Sequence, residues 1–342
     1  MADDRDPPGD LFVQGFGVLN RDPTVIHSFR YLDDIFPSLQ AVLAGLPPSR
    51  QVVVLVSLGW SVVVQYGTPD FSMMREKYRR LHEQFHNCRV IYLANDATEA
   101  ALLNQFGLEA VLCQHNSFLR PEDYPCKEPS LVGAGAERFE AIYVGRLHPY
   151  KRVELMSGLQ RSALIYENFD LDYYHRIREQ IAAVTLINGL PGSNEFRVLP
   201  KSEVLALIRD SKVGLCLSEV EGAMFASGEY LLSGVPVVST YSVGGRDAYW
   251  DEQCCVLCPA DAALIASAVA QLQAAMIDPR VVRTQMIVRI MQMRLQLINY
   301  LRERVYRLSQ QPAVFYNTLM DIHSPFCWER TMVSEFLSRI DQ

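Results

Sequence analysis

Short apolar runs, each followed by a helical pattern, recur in two series along this chain, and that alternation restricts its fold more than any other feature. In the first series residues 11–13, 52–58, 90–93 and 110–113 read as strands. Helical patterns fall at 31–43, 72–85 and 96–106, the last opened by an Asp96/Glu99 capping box and closed near Gly107. The second series has strand-like runs at 141–144, 163–165, 184–186, 213–217, 235–239 and 255–257, with helices expected at 153–159, 173–183, 202–208, 227–233 and 262–275. Strands that alternate with helices build a parallel sheet whose ligand-facing loops leave the carboxyl ends of the strands. The expected class is α/β, with two Rossmann-like domains. From residue 279 the pattern turns purely helical, with runs at 281–308 and 331–340.

A length of 342 residues with 49% hydrophobic content suits two separate cores. Residues 120–137, rich in proline and glycine and poor in periodic apolar positions, read as the linker between them. The domains are therefore expected at 1–137 and 138–314. A net charge of −7 argues against a nucleic-acid partner, whose footprint would be basic. Among eight cysteines, Cys254, Cys255 and Cys258 form a C-C-x-x-C cluster, but no second C-x-x-C or nearby histidine pair completes a metal site. The acidic N-terminus lacks an apolar leader core and no run reaches membrane-spanning length, so the cytoplasm is the expected compartment.

Residues 218–247 carry the densest chemistry. Two acids and a glycine follow the 213–217 strand, a short apolar helix ends at Gly234, and Val235-Pro236-Val237-Val238 restarts as a strand. The helix opens near Ala226-Ser227-Gly228, where little side chain screens the backbone N–H groups, and an anion can approach. Glu221 stands in the loop and Glu229 just inside the helix. Either the acids complement the helix dipole, or the second accepts the two hydroxyls of a ribose. A second stretch, Gly145-Arg146-Leu147-His148-Pro149-Tyr150-Lys151-Arg152, leaves the first strand of the same series. Its cations read either as a surface pair or as a diphosphate clamp.

Together, the E-x7-E spacing, the following G-V-P-V-V-S-T, the Gly244-Gly245 pair and the G-R-x-x-x-x-K of Gly145 to Lys151 resemble the donor side of retaining glycosyltransferases of the GT-B fold, the large family-four group. The resemblance covers about a third of the chain. It implies two Rossmann-like domains facing a cleft, with a C-terminal helix from about residue 315 to 342 crossing back to the first. It further implies that Arg146 and Lys151 hold the donor diphosphate, that Glu229 binds ribose, and that Glu221 and Gly222 lie beside the sugar. Gly145, Ala223, Ser227 and Gly228 complete the donor loops, and the loop around Arg197 to Leu199 flanks the base. Where the family has an aromatic residue and a second glycine after Glu221-Gly222, this chain has Ala223 and Met224, which alters the expected sugar contacts.

The implied activity is transfer of a sugar, with retention, from a nucleotide-sugar co-substrate to a carbohydrate, lipid-linked or small-molecule acceptor. No cofactor or metal is implied, and no D-x-D is read beside a strand. A nucleotide-sugar epimerase or phosphorylase, or a catalytically silent binding protein, would use the same scaffold. On the acceptor side the expected residues are Gly15, Gly17, His27, His115, Asn116 and Arg246. Gly15-Phe16-Gly17 is read as a turn or a cleft-facing loop, since Asn20 breaks the G-x-G-x-x-G pattern. Arg283, Arg289, Arg294, Arg302, Arg304 and Arg307 form either a solvated face or a surface for anionic lipid, and the latter implies peripheral contact at the inner membrane face.

Overall fold

The computed structural model describes residues 12–21, 23–28, 32–62, 71–132, 137–305 and 331–341. The chain divides into two compact units, Met1–Leu119 with Met291–Gln342, and Arg120–Ile290. That division falls at residues 119/120 and 290/291, where the sequence reading sets boundaries at 137/138 and 314/315.

In the first unit the strands are β1 (Phe12–Val13), β2 (Phe16–Arg21), β3 (Thr24–Ser28), β4 (Val52–Ser57), β5 (Cys88–Ala94) and β6 (Ala110–Leu112). Between them lie α1 (Leu32–Ala44), α2 (Ser72–Gln84) and α3 (Ala97–Gln105). The sheet runs β2-β3-β4-β5-β6, parallel from β3 onward, with β2 antiparallel at its edge. Every residue of β4 is buried, as expected for a strand covered on both faces. Each of its Val and Leu side chains contributes about 1.5–3 kcal/mol by leaving water.

The β2–β3 hairpin departs from the sequence reading. Gly17 is not in a loop: it lies in β2 and pairs with His27. Gly15, at φ 75°, makes the bend that separates β2 from β1. With no side chain at residues 15 and 17, the alternation that marks a strand is interrupted, which hides the hairpin from pattern reading. The capping box is also only half formed. Asp96 accepts from the Glu99 N–H at 2.8 Å. The Glu99 carboxylate instead accepts from the backbone N–H of Val62 (2.8 Å) and Asn95 (2.7 Å), joining the ends of β4 and β5.

The second unit holds β7 (Phe139–Val144), β8 (Ser162–Ile165), β9 (Thr185–Leu186), β10 (Ser211–Cys216), β11 (Val237–Thr240) and β12 (Cys255–Cys258). Its helices are α4 (Leu171–Ile177), α5 (Lys201–Arg209), α6 (Phe225–Leu232) and α7 (Ala262–Ala275), and residues 153–158 form a 3-10 helix. All six strands are parallel, in the order β12-β11-β10-β7-β8-β9. The chain starts at the centre in β7, builds outward to β9, then returns to β10 on the other side. Order reverses between β7 and β10, and at such a switch point the two departing loops splay apart and leave room for a ligand.

Residues 120–132 are packed within the second unit, where the sequence reading has an interdomain linker over 120–137. Lys127, buried, bonds Glu137 at 3.0 Å and the Ser211 carbonyl at 3.1 Å. Arg283 donates to the carbonyls of Tyr124 (2.5 Å) and Pro121 (2.6 Å). Prolines supply turns there, and buried Lys127 and half-buried Arg283 fasten them.

Arg283 belongs to α8 (Pro279–Arg304), and the same helix corrects the basic-surface reading. Arg294 is buried and donates to the carbonyls of Ser117 (2.6 Å) and Leu119 (2.9 Å), while Arg289 lies 3.4 Å from Asp251. These three guanidinium groups are occupied by the protein. Arg302 and Arg304 are exposed, and Arg307 lies outside the described residues. No single helix among the described residues is long and apolar enough to cross a membrane.

Of the C-terminal segment, β13 (Thr331–Met332) pairs antiparallel with β1, and α9 (Val333–Asp341) places Phe336 and Ile340 in the first unit's core. The Phe336 ring lies 5.7 Å from that of Phe16. Residues 315–330 of the expected crossing helix are outside the described residues.

Candidate functional site

The site grows from the two loops that leave the switch point. After β7 the chain passes Gly145 and Arg146 and makes a 3-10 turn at Pro149–Lys151. After β10 it passes Glu219, Glu221, Gly222 and Ala223 before entering α6. A backbone bond from Glu219 N–H to the Tyr150 carbonyl (2.8 Å) ties the loops together, and Glu221 N–H bonds the Val243 carbonyl (2.9 Å) in the loop after β11. Beside these bonds the Lys151 ammonium donates to the Glu221 carboxylate. Their side chains are 7% and 8% exposed, so this is a buried pair. Residues distant in sequence meet because the strand order sets β7 next to β10.

Arg152 holds this arrangement from below. Its backbone is left-handed at φ 49°, an unusual state for a residue with a Cβ. Its guanidinium reaches the Leu217 carbonyl at 2.7 Å and Thr240 Oγ1 at 2.8 Å, fixing the loops after β10 and β11 relative to Lys151.

The helix α6 starts at Phe225, behind Met224, and no side chain caps it. Ser227 turns its hydroxyl back to the Met224 carbonyl (2.7 Å), while Ser227, Gly228 and the Gly222-Ala223-Met224 approach are buried. The start of the helix carries the partial positive charge of its macrodipole. Glu229 sits one turn in. It is half-buried, and burial raises its pKa while Lys201 pulls it down and Glu167 pushes it up. Glu221 is bonded to Lys151, while Glu229 feels the charge of Lys201.

Other expected donor residues divide. Arg146 is exposed and hydrogen-bonds the Tyr150 side chain. Gly145 packs on the Lys151 stem, where an added Cβ would stand 3.7 Å from it, ordinary contact. Leu199 is buried just before Pro200, which opens α5. Arg197 is turned to the surface and paired with Glu203 at 2.5 Å. The chain also holds a D-x-D that the sequence reading passes over, Asp170-Leu171-Asp172, shortly after β8. Asp170 accepts from the Tyr173 N–H at 2.9 Å and so caps α4. Among the described residues no three His, Cys, Asp or Glu side chains are grouped to hold a metal ion.

On the first unit, His27 is the penultimate residue of β3 and fully buried, its Nε2 2.7 Å from Ser57 Oγ and its ring 4.6 Å from Phe118. Burial lowers its pKa to about 3. His115 and Asn116 form the buried 3-10 turn after β6. Arg246 corrects its acceptor-side assignment. It is fully buried in the second unit, donating to Ser218 O and Oγ (both 2.8 Å), Ser239 Oγ (2.8 Å), the Thr240 carbonyl and Asp247 (3.1 Å). All five of its N–H groups are taken by these partners.

No protein-family model and no curated protein sequence matches the chain significantly. Solved structures do. Anabaena HepE, crystallised with UDP, matches at a TM-score of 0.55 and 14% identity, over 82% of this chain and 78% of that one. The sucrose-phosphate synthase of Thermosynechococcus elongatus matches at 0.52 and 18% identity, over 83% and 74%. The UDP-forming α,α-trehalose-phosphate synthase of Burkholderia xenovorans, crystallised with glucose-6-phosphate, matches at 0.52 and 15% identity, over 83% and 74%.

The fold is GT-B. In GT-B terms the second unit is the sheet that carries the two motifs, and the first unit carries His27, His115 and Asn116 at the carboxyl ends of its strands. Two residues that share an electrostatic influence with Glu229 escaped the sequence reading. Tyr124 was hidden in the proline-rich stretch, and Lys201 is a single lysine at a helix start, where no local pattern sets it apart.

Proposed function

We propose that this chain is a glycosyltransferase that binds a nucleoside-diphosphate sugar on its second unit and moves the sugar, with retention, to a carbohydrate, lipid-linked or small-molecule acceptor. The observation that carries the reading is the meeting of Lys151 and Glu221 at the switch point, beside the uncapped start of α6. Departure of a diphosphate leaves negative charge on the phosphate oxygens, and cations preorganised there act without reorganising at the moment of reaction. Lys151 supplies one such charge, Arg146 a second, and the α6 N–H groups a third. Glu221, released from Lys151 when phosphate takes that cation, faces the sugar. The ligands named for the neighbouring structures, UDP and UDP-glucose among them, favour a nucleotide-sugar donor. In this reading the chain's own cations meet the phosphates, and no metal is required.

A thermal-shift screen against UDP, GDP, ADP and their sugar conjugates is the first test. A ligand at about 100 times its Kd stabilises by about 2.7 kcal/mol. The positive nucleotide sugar should then release nucleoside diphosphate only when acceptor is added, and equally well in EDTA. No stabilisation by any nucleotide would remove the donor assignment. Activity lost in EDTA and restored by magnesium would remove metal independence.

A further inference from the structure

Arg246 lies where β10 and β11 end, and its two Nη groups divide between the two strands. Nη1 donates to the carbonyl and hydroxyl of Ser218, just past β10 (both 2.8 Å), and Nη2 to the Ser239 hydroxyl (2.8 Å) and the Thr240 carbonyl, on the last two residues of β11. Carbonyls that leave a parallel sheet lose their ladder partners, and where they leave it inside the protein a buried donor has to meet them. Arg152 claims the carbonyls on either side, Leu217 at 2.7 Å and Tyr241 at 3.2 Å, so a guanidinium holds each of the four.

The bonded chain continues from this clamp to Glu221. Glu219 N–H donates to the Tyr150 carbonyl (2.8 Å), Val243 N–H to the Glu219 carbonyl (2.9 Å), and Glu221 N–H to the Val243 carbonyl (2.9 Å). The loops after β10 and β11 therefore run on side by side beyond the sheet, bridged at Val220 and Val243. Where the clamp sets the two strand ends, the loops carry Glu221 to a fixed place against Lys151.

We propose that Arg246 is a positioning residue for the transferred sugar: by clamping the ends of β10 and β11 it sets where the 218–221 loop holds the Glu221 carboxylate. The inference rests on the donor reading above, in which that carboxylate faces the sugar. Asp247 matches the charge of Arg246, and its other four bonds go to neutral oxygens, so its effect at Glu221 is one of place rather than of field. Lysine does not replace it, because an ammonium offers its three donors from one point and lacks the fork that spans two strand ends.

The test compares the parent with Arg246→Lys, Ser218→Ala, Glu221→Gln and the Arg246→Lys/Glu221→Gln double variant. In ligand-free protein, Arg246→Lys should speed amide hydrogen exchange at Glu219, Glu221 and Val243 and leave the ladder amides of β7 and β10 near their parent rates. Ser218→Ala, which removes one partner and keeps the cation, should do the same to a smaller extent, and it carries the comparison if Arg246→Lys does not fold. Calorimetric titration then uses whichever of UDP, GDP and ADP the parent binds, beside its glucose conjugate. Arg246→Lys should weaken the conjugate about tenfold and the free nucleotide by much less, since only the sugar meets the displaced carboxylate. In the Glu221→Gln background the same substitution should cost the conjugate little more, because both changes act through one group.

Unmoved exchange at Glu219, Glu221 and Val243 overturns the inference whether or not nucleotide binds. Exchange that speeds equally in the β7 and β10 ladders overturns it too, as does equal weakening of nucleotide and conjugate, because Arg246 would then support the unit as a whole. Additive losses in the double variant overturn the route through Glu221. Parent protein that binds none of the three nucleotides overturns the donor reading and the inference with it.

Discussion

Lys151 and Glu221 neutralise each other inside the second unit, and this pairing changes what single substitutions should do. Removing one partner of a buried pair leaves the other charge unpaired, at a cost of roughly 3–5 kcal/mol. Glu221→Gln should therefore unfold at lower denaturant while binding free nucleoside diphosphate as tightly as the parent or tighter, since Lys151 no longer has a competitor. Its turnover should fall because sugar positioning is lost. Glu229→Ala should behave in the opposite way. On the donor reading it removes one or two charge-assisted bonds to ribose, each worth about 1.5–3 kcal/mol, and should weaken nucleoside diphosphate by about ten- to a hundredfold with little loss of stability. Calorimetric titration of both variants, beside urea unfolding, separates them. Equal weakening in the two would mean that the glutamates share one role.

The helix α6 is positioned by a contact with no polar component on the strand side. Gly214 in β10 lies beneath the ring of Tyr230, and a Cβ there would stand 2.5 Å from Cγ of that ring. Tyr230 cannot step aside freely, because its hydroxyl accepts from the Val144 N–H at 2.6 Å, just before Gly145. Gly214→Ala should thus push α6 off the sheet. Overpacking of this kind costs about 1–3 kcal/mol, and the displaced helix start should bind nucleotide less well. The expected result is a lower Tm together with a several-fold rise in Kd for nucleoside diphosphate. A variant with parent affinity would show that the α6 start does not contact phosphate.

Two buried groups of the first unit give the whole protein opposite pH dependences. His27 has its pKa lowered to about 3 by burial, so the unfolded chain binds its proton first and stability is lost as pH falls below 6.5. Glu99 has its pKa raised to about 7, with burial the largest cause. The folded state therefore holds that proton more tightly, and this contribution is lost as pH rises from about 4.5 to 7. Each amounts to roughly 2 kcal/mol between pH 5 and pH 8, and they nearly offset. Relative to the parent, Glu99→Gln should lose stability on acidification across that range, and His27→Asn should gain it. Urea unfolding at several pH values reads this out; curves parallel to the parent's would contradict the assignment.

The alternation of apolar runs and helical patterns was enough to read all six strands of the second unit's parallel sheet, strands β4, β5 and β6 of the first unit's, and the stretches around Lys151 and Glu221, because periodicity records which faces must leave water. It missed the β2–β3 hairpin, where Gly15 and Gly17 lack the side chains that mark alternation. Nor does periodicity record strand order. The pairing of Lys151 with Glu221, the burial of Arg246, the fastening of 120–132 by Lys127 and Arg283, and the seating of Lys201 on Tyr124 all depend on which strands and helices become neighbours. Those adjacencies follow from packing two faces of a sheet at once, so only the tertiary structure decided them.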